Sequence, residues 1–214
     1  TVENVALRDE MERIALQFPR YGYRRMTAEL HRRQFGVNHK RVLRLMRENN
    51  LLVEVKRYCR TTNSQHSYPR YPNLLKGLVI VHPDQVWVGD ITYVQVQLEF
   101  VYLAVLMDVF TRAIRGWALS RQLTDDLTCA ALERALLSSR PGIHHSDQGG
   151  QYASTRYTGW LAAEGIQISM ATQGQPTENA FAERLIRTLK EEEVYLHDYL
   201  DYDDARVHIA RFLD

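Results

Sequence analysis

Cysteine is scarce in this sequence of 214 residues, and its only cysteines, Cys59 and Cys129, lie far apart. A disulfide framework is therefore not expected, and such cysteine usage is typical of the reducing cytosol. The absence of a Cys-x-x-Cys pair argues against a zinc finger or ribbon. No stretch reaches the roughly 18 apolar residues of a membrane-spanning helix. The N-terminus lacks the basic start and apolar run of a secretory signal. These absences predict a cytoplasmic protein.

Two further absences narrow the function. Serine-nucleophile and P-loop signatures are missing, so a serine hydrolase or a nucleoside triphosphatase is not expected. The sequence does not begin with methionine, which indicates a fragment or a processed product.

Positive charge is distributed unevenly along the chain. Residues 1–60 contain 14 Lys and Arg against 7 Asp and Glu, whereas residues 61–214 contain 13 against 19. A basic module followed by an acidic one suggests that the first binds phosphates. A chance excess of basic residues on solvated helix faces would give the same counts.

The first 52 residues have the hydrophobic spacing of short helices. A helix at about 24–35, a glycine-containing turn at 36–38 and a helix at about 39–49 follow one another. One face of the last helix is apolar, and the other carries four basic residues, Lys40, Arg41, Arg44 and Arg47. The pattern predicts a helix-turn-helix DNA-binding domain over residues 1–52. A three-helix bundle with a solvated basic face would show the same pattern.

Residues 53–79 contain Pro69, Pro72 and a polar run, and are predicted to form a linker. From residue 85 the hydrophobic period changes to two. The expected elements are strands at 85–96, 99–108, 112–120, 143–146 and 166–170, and helices at 124–139, 154–164 and 178–195. This order predicts an α/β fold with a mixed sheet covered by helices over residues 80–214. Glu191 to Glu193 are expected to form a solvated helix end.

Three carboxylates stand out by their positions. Asp90 interrupts an apolar strand, where an unpaired carboxylate is costly and needs a nearby cation. Asp147 follows a strand end, where ligands of open α/β sheets collect, and Glu183 lies on the last predicted helix. Oxygen ligands of this kind select Mg²⁺ or Mn²⁺. Separate structural roles for the three acids, in an ion pair, a turn and a solvated helix face, are the alternative. His145 and Asp108 are expected to serve hydrogen-bonded packing and the hairpin turn.

The segments around these acids resemble a known family. Between Asp147 and Glu183 lie 35 residues, the D,D-35-E spacing of retroviral integrases and related transposases. The matching segments, in order, are residues 21–25, 87–93, 107–112, 116–117, 145–152, 178–184 and 188–190. Nearly the whole chain resembles the OrfB-type transposases of bacterial insertion sequences, which have an integrase-like (DDE) catalytic core.

The resemblance implies a ribonuclease-H-like fold, with a mixed five-stranded sheet flanked by helices and a small helix-turn-helix domain before it. It implies that Asp90, Asp147 and Glu183 bind two Mg²⁺ or Mn²⁺ ions for DNA strand cleavage and strand transfer. Asn179 is expected to contact DNA or orient Glu183, while Arg187 and Lys190 contact phosphates. DNA, as transposon ends and target, is the expected partner. The protein is expected to form at least a homodimer in the synaptic complex. Its expected location is the bacterial cytoplasm, in association with the nucleoid.

The sequence also departs from the family. Related cores continue with an Asn-, Arg- and Pro-bearing tail, whereas this chain stops at Asp214, so a core truncated at its C-terminus is expected. The His/Cys zinc module of retroviral integrases is absent. Two other functions stay open, namely a metal-dependent nuclease that never joins strands and a DNA-binding regulator with an inactive core.

Overall fold

The computed structural model describes residues 2–19, 21–52, 66–97, 99–172 and 175–214. The chain divides into two compact units, residues 1–60 and residues 61–214. Within the described ranges, every helix is either too short or too polar to cross a membrane.

The first unit is built from three helices, α1 (Val2–Gln17), α2 (Tyr23–Arg32) and α3 (His39–Glu48). Their inner faces form one apolar core in which Met11, Leu30 and Met46 are fully buried. Helix α3 starts at a side-chain cap, because the Asn38 Oδ1 atom accepts a hydrogen bond of 2.8 Å from the Lys40 amide. The predicted order of helices and turn is confirmed.

The second unit contains a sheet, helices on both of its faces and two short irregular helical turns. The strands are β1 (Val86–Val96), β2 (Glu99–Asp108), β3 (Ile114–Ser120), β4 (Ile143–Ser146) and β5 (Gln167–Met170). The helices are α4 (Asp125–Leu136), α5 (Gly150–Ala153), α6 (Thr155–Ala163), α7 (Ala180–Leu189) and α8 (Tyr202–Leu213). A 3₁₀ turn (Pro176–Asn179) precedes α7, and a π turn (Lys190–Val194) follows it.

The five strands form one sheet in the order β3-β2-β1-β4-β5. The pairs β3–β2 and β2–β1 are antiparallel, while β1–β4 and β4–β5 are parallel, so the predicted mixed sheet is confirmed. Successive side chains of a strand point to opposite faces. Trp87 and Leu106 therefore pack with α4 and α6 on one face, whereas Leu103 and Val105 pack with α7 and α8 on the other. Both faces are apolar, and the central strands are buried.

The C-terminal part of the chain differs from the prediction. The expected single helix over residues 178–195 is three segments, and its last turn widens because the Tyr195 amide donates to the Lys190 carbonyl, five residues back. Helix α8 was not predicted. Its start is capped by Asp201, whose side chain accepts from the Asp204 amide at 2.9 Å. Ile209 of α8 is fully buried against the sheet.

Residues 66–79, which were expected to belong to the linker, pack on the second unit, while residues 53–65 lie outside the described residues. Leu75 and Leu78 contact the apolar cluster around Val88. The Leu74 amide donates to the Ser169 hydroxyl at 2.9 Å. The segment therefore extends the packed part of the second unit toward the N-terminus.

Glu178 ties this segment to the start of α7. Its Oε2 atom accepts hydrogen bonds from the Asn73 side chain at 2.9 Å and from the Thr172 amide at 2.7 Å. Its Oε1 atom lies 2.9 Å from the Lys76 ammonium group. The bond from the Thr172 amide, followed by those from Lys76 and Asn73, lowers the pKa of Glu178 to about 2. One carboxylate thus joins three stretches of chain.

We predict that Glu178→Gln lowers the melting temperature of the full chain at pH 7. Because folding lowers the pKa of Glu178, its ionised form stabilises the protein above the ordinary glutamate pKa, and this contribution disappears as the pH falls toward 2. The difference in melting temperature between variant and parent should therefore shrink between about pH 5 and pH 2. Thermal denaturation followed by circular dichroism measures it.

The matched control is Glu133→Gln, which changes an exposed glutamate on α4. It should melt like the parent at each pH. Equal melting temperatures for Glu178→Gln and the parent at pH 7 would show that Glu178 does not tie these segments together.

Candidate active site

Asp90 lies in the middle of β1, on the sheet face that also carries Val88 and Val94. Its Oδ1 atom accepts a hydrogen bond of 2.8 Å from the Ile91 amide. Burial, followed by the negative charge of Asp147, raises the pKa of the Asp90 carboxyl to about 8. The surroundings therefore disfavour the charged form of Asp90 unless a further cation is present.

Asp147 directly follows β4, the strand that pairs in parallel with β1. Its Oδ1 atom accepts from the Gly149 amide at 2.9 Å, which fixes the carboxylate in the turn. The turn is tight, since a Cβ atom at Gly149 would lie 2.9 Å from that same oxygen. A short strand and a glycine turn thus place the second acid beside the first.

Glu183 lies in the first turn of α7, with its side chain exposed. The neighbouring Ala182 and Ile186 are buried and hold this helix against the sheet. The exposed carboxylate is therefore available for a ligand, and its place is set by the helix that carries it.

The three acids are electrostatically coupled. The negative charges of Asp147 and Glu183 both raise the pKa of Asp90. Among the described residues, one set of three possible metal-ligand side chains has ligand atoms that all lie within 4.8 Å of one another, and this set does not include the three acids. The ligand oxygens of Asp90, Asp147 and Glu183 are therefore spread more widely than that. Asp90 is therefore the common neighbour of two other acids.

Lys190 is buried beside this acidic group. Its Nζ atom lies over the Tyr93 ring, 4.2 Å from the centroid. Burial lowers the pKa of Lys190, and the charge of Asp90 raises it. We expected Lys190 to contact DNA phosphates, but the structure places it inside the protein, where its charge offsets that of Asp90.

Asn179 is also buried, at the end of the 3₁₀ turn before α7. Its Nδ2 atom donates a long hydrogen bond of 3.4 Å to the carbonyl of Gly89, the residue before Asp90. Its Oδ1 atom is buried without a hydrogen-bond partner among the described residues. Its bond to Gly89 lies beside Asp90 and at the start of the helix that carries Glu183, and both expected roles of Asn179, DNA contact and orientation of Glu183, stay predictions. Arg187, in contrast, is exposed in the last turn of α7.

The two histidines of β4 serve packing. The His145 Nε2 atom lies 3.0 Å from the Glu178 carbonyl, so it donates, and Nδ1 contacts the Ser169 hydroxyl at 2.8 Å. Burial lowers the pKa of His145. Burial also lowers the pKa of His144 to about 3, and its Nε2 atom lies 2.9 Å from the Tyr157 hydroxyl. Both rings are therefore neutral near pH 7, and the expected packing role of His145 is confirmed.

Asp108 is buried in the hairpin turn that follows β2. Its Oδ1 atom accepts from the Asp84 amide at 3.0 Å, and its Oδ2 atom accepts from the Thr111 amide at 2.8 Å. Burial raises the pKa of Asp108, but these hydrogen bonds lower it by more, so the net effect is a lowered pKa. The turn-forming role expected for Asp108 is confirmed.

The basic residues of α3 are not equivalent. Lys40, Arg44 and Arg47 are exposed. Arg41 is half-buried, and its guanidinium group donates to the Asn4 side chain at 3.1 and 2.7 Å. Arg41 thus helps to join α3 to α1, whereas the other three form an exposed positive face.

Two residues of the site were missed in the sequence. Glu178 anchors the helix that carries Glu183, and Gly89 allows close packing beside Asp90, since a Cβ atom there would lie 2.9 Å from the Leu106 side chain. Glycine inside a strand often marks such a close approach, and this signal was present. The partners of Glu178 depend on tertiary contacts and leave no local signal.

Models of known families match most of the chain. An HTH-like domain matches residues 3–58. Two integrase core domain models match residues 81–176 and residues 164–214.

Curated relatives match over nearly the full chain. The transposase for insertion sequence element IS904 of Lactococcus lactis is 38% identical over 200 residues, which cover 91% of this chain and 79% of the relative. The transposase InsF for insertion sequence IS3A of Escherichia coli is 32% identical, with coverage of 91% and 69%. A 31 kDa protein of insertion element IS600 from Shigella sonnei is 38% identical, with coverage of 91% and 73%.

A solved intasome of simian T-cell lymphotropic virus, in complex with a PP2A regulatory subunit, contains a chain of similar fold. The TM-score is 0.53 at 22% identity, and the match covers 88% of this chain and 63% of that one. This likeness supports the ribonuclease-H-like fold. The relatives and the family models show that the chain belongs to the insertion-sequence transposases that combine a helix-turn-helix-like domain with an integrase core.

Proposed function

We propose that this transposase cuts DNA strands at the ends of an insertion sequence and joins them to a target, with Asp90, Asp147 and Glu183 as ligands of divalent metal ions. The observation that supports the proposal is the convergence of these three acids, which are remote in sequence, around Asp90. A carboxyl group such as that of Asp90, whose pKa is strongly raised by burial and by neighbouring acids, is typical of functional sites.

The donor set suits Mg²⁺ or Mn²⁺. Asp90, Asp147 and Glu183 offer carboxylate oxygens only, which hard divalent cations prefer. Burial and the charges of Asp147 and Glu183 raise the pKa of Asp90, whereas the charge of Lys190 lowers it. A bound divalent cation would supply the missing positive charge.

We propose two ions, as in the two-metal sites of other enzymes that transfer phosphoryl groups. Asp90, Asp147 and Glu183 would hold them, since the charges of Asp147 and Glu183 both act on Asp90. When bound, such a pair of ions stabilises the attacking and leaving oxygens of an in-line phosphoryl displacement.

The residues of the chain then have separate tasks. Asp90 and Asp147, fixed by the Ile91 and Gly149 amides, provide the rigid part of the site. Glu183 completes it from the exposed start of α7. The attacking group is a water in cleavage and a DNA 3′-hydroxyl in joining, so no covalent link between protein and DNA is needed. Catalysis rests on positioning and on charge stabilisation.

Three residues near the site support these tasks. Lys190 limits repulsion among the acids from inside the protein. Asn179 fixes the start of α7 through the Gly89 carbonyl. Arg187, exposed one turn after Glu183, is placed to contact a DNA phosphate without reading sequence.

The first unit is proposed to supply DNA affinity through the exposed face formed by Lys40, Arg44 and Arg47. Joining both ends of an element in one complex requires two active sites, so the proposal includes an assembly of at least two copies. Sedimentation of the complex with DNA ends reports this copy number. The protein would act in the cytoplasm, at the nucleoid, where bacterial DNA lies.

We predict that Asp90→Asn, Asp147→Asn and Glu183→Gln each lower cleavage and joining by on the order of 10³-fold or more. Each change removes one charged ligand at nearly constant volume. Folding should persist in Asp90→Asn, because burial already favours the neutral form of Asp90. Labelled oligonucleotide assays with Mg²⁺, scored separately for cut and joined products, measure both activities.

Glu99→Gln is the control, since Glu99 is exposed at the start of β2 and pairs with Arg121 at the surface. Cleavage that survives Asp90→Asn in a folded protein would falsify the assigned site. Cleavage without joined products, when a 3′-hydroxyl end is supplied, would identify a nuclease. DNA binding without either product would identify a regulator.

We predict that the triple change Lys40→Gln, Arg44→Gln and Arg47→Gln weakens binding to duplex DNA of any sequence. Each lost phosphate contact removes about 0.9 from the slope of log affinity against log salt, so the slope should fall by about 2 to 3. Fluorescence anisotropy over a range of salt concentrations measures it.

Arg13→Gln is the control for charge alone. Arg13 is exposed on α1 and pairs with Glu10 at 3.0 Å. It should leave the slope unchanged. An unchanged slope in the triple variant would mean that α3 does not contact phosphates.

A further inference from the structure

A second group of possible metal ligands lies at the far end of the helix that carries Glu183. Glu193 belongs to the π turn after α7, His197 to the following loop and His208 to α8. One ligand atom from each of the three side chains lies within 4.8 Å of the others. None of the three acids of the active site belongs to this group.

The two separations from Glu193 suit a tetrahedral ion, and the ligand atoms of the two histidines lie within 4.8 Å of each other. The Glu193 Oε1 atom lies 3.1 Å from the His197 Nδ1 atom and 3.7 Å from the His208 Nδ1 atom. At metal–ligand distances near 2.0–2.1 Å, two ligands of a tetrahedral ion lie about 3.3 Å apart. The observed separations bracket this value, so a small adjustment of the side chains would admit an ion. His197 Nδ1 also lies 3.0 Å from the Glu193 carbonyl oxygen, and ion binding exchanges that contact for a coordinate bond.

Neighbouring groups orient these ligands. The His208 Nε2 atom lies 3.6 Å from the Asp204 Oδ1 atom, one helical turn away. The other Asp204 oxygen, Oδ2, accepts from the Leu200 amide at 3.0 Å, which holds this carboxylate in place. The Tyr199 hydroxyl donates to Glu193 Oε1 at 3.1 Å. A carboxylate behind the second ring nitrogen is the usual support of a metal-binding histidine.

Burial also distinguishes this cluster from a solvated surface group. Glu193, expected in a solvated helix end, is 7% exposed, because the π turn directs it inward. A buried carboxylate needs a positive partner. The side chains of His197 and His208 are 37% and 35% exposed, which leaves a path for an ion.

We propose that Glu193, His197 and His208 bind one divalent transition-metal ion, with Zn²⁺ as the expected ion. Two imidazoles and one carboxylate select zinc and its neighbours over Mg²⁺. Water would take the fourth position. The ion would fasten α8 to the end of α7 and so stabilise the helix that carries Glu183. This role is structural, and it does not depend on the proposed chemistry of the three acids.

The test uses the full chain with Asp90→Asn and Glu183→Gln, so that the active site does not contribute. After chelation, Zn²⁺ is titrated by calorimetry, and Co²⁺ is added separately as a spectroscopic probe. We expect one site per chain, visible absorption bands of four-coordinate Co²⁺, and a melting temperature raised by about 5 °C or more at 100-fold excess of Zn²⁺ over its Kd. Mg²⁺ should produce none of these effects.

In this background, His197→Ala and His208→Ala should weaken Zn²⁺ binding by about 100-fold or more, and Asp204→Asn by about 10-fold. His82→Ala is the matched control, since His82 is exposed and contacts the adjacent Pro83 carbonyl. Zn²⁺ binding that survives His208→Ala would overturn the proposal. If the histidine variants do not fold, the Co²⁺ spectrum of the folded background protein decides, and absent four-coordinate bands show an ion-free hydrogen-bonded cluster.

Discussion

Repulsion among the carboxylates around Asp90 is the constraint on which the site depends. A carboxylate on a buried strand, with Asp147 beside it and Glu183 near, is unfavourable in its ionised form. The fold sustains this arrangement because the sheet is packed on both faces by apolar clusters. Lys190 provides a compensating charge from within the protein. The apolar packing on both faces of the sheet thus stabilises the fold, and the unfavourable negative charge is confined to the surroundings of Asp90.

The position of Glu183 depends on what precedes and follows α7. Because the Glu183 side chain is exposed, its position depends on the contacts that hold the two ends of α7. At the start, Glu178 bonds to the Thr172 amide and Asn179 reaches the Gly89 carbonyl. At the end, the π turn buries Lys190 and leads toward α8. The contacts that hold the two aspartates are therefore separate from the contacts that hold the helix carrying Glu183.

The sequence predicted the parts of the fold that local pattern controls. The strands followed from apolar residues with a period of two, and Asp90 was identified because such a strand disfavours an acid. The link from Asp147 to Glu183 came from a spacing shared with a known family. The π turn and the burial of Lys190 were missed, because one additional backbone residue in a helix turn leaves no signal in hydrophobic spacing. Helix α8 was missed because acidic, basic and apolar residues alternate closely in it. The bond from Arg41 to Asn4 depends on how α3 packs on α1.

The division of charge between the two units is consistent with the proposed chemistry. Residues 61–214 contain 19 acidic residues against 13 basic ones, so a net negative charge opposes the approach of DNA phosphates to this unit. Metal ions at the three acids would make the local electrostatic potential positive at the point where a phosphate must approach. They would add little to the affinity for the rest of the duplex. The basic first unit, with 14 basic residues against 7 acidic ones in residues 1–60, can supply that general affinity. Under the proposed function, this separation of affinity from chemistry would allow the second unit to keep its net negative charge and to accept DNA only where metal ions hold the reacting phosphate.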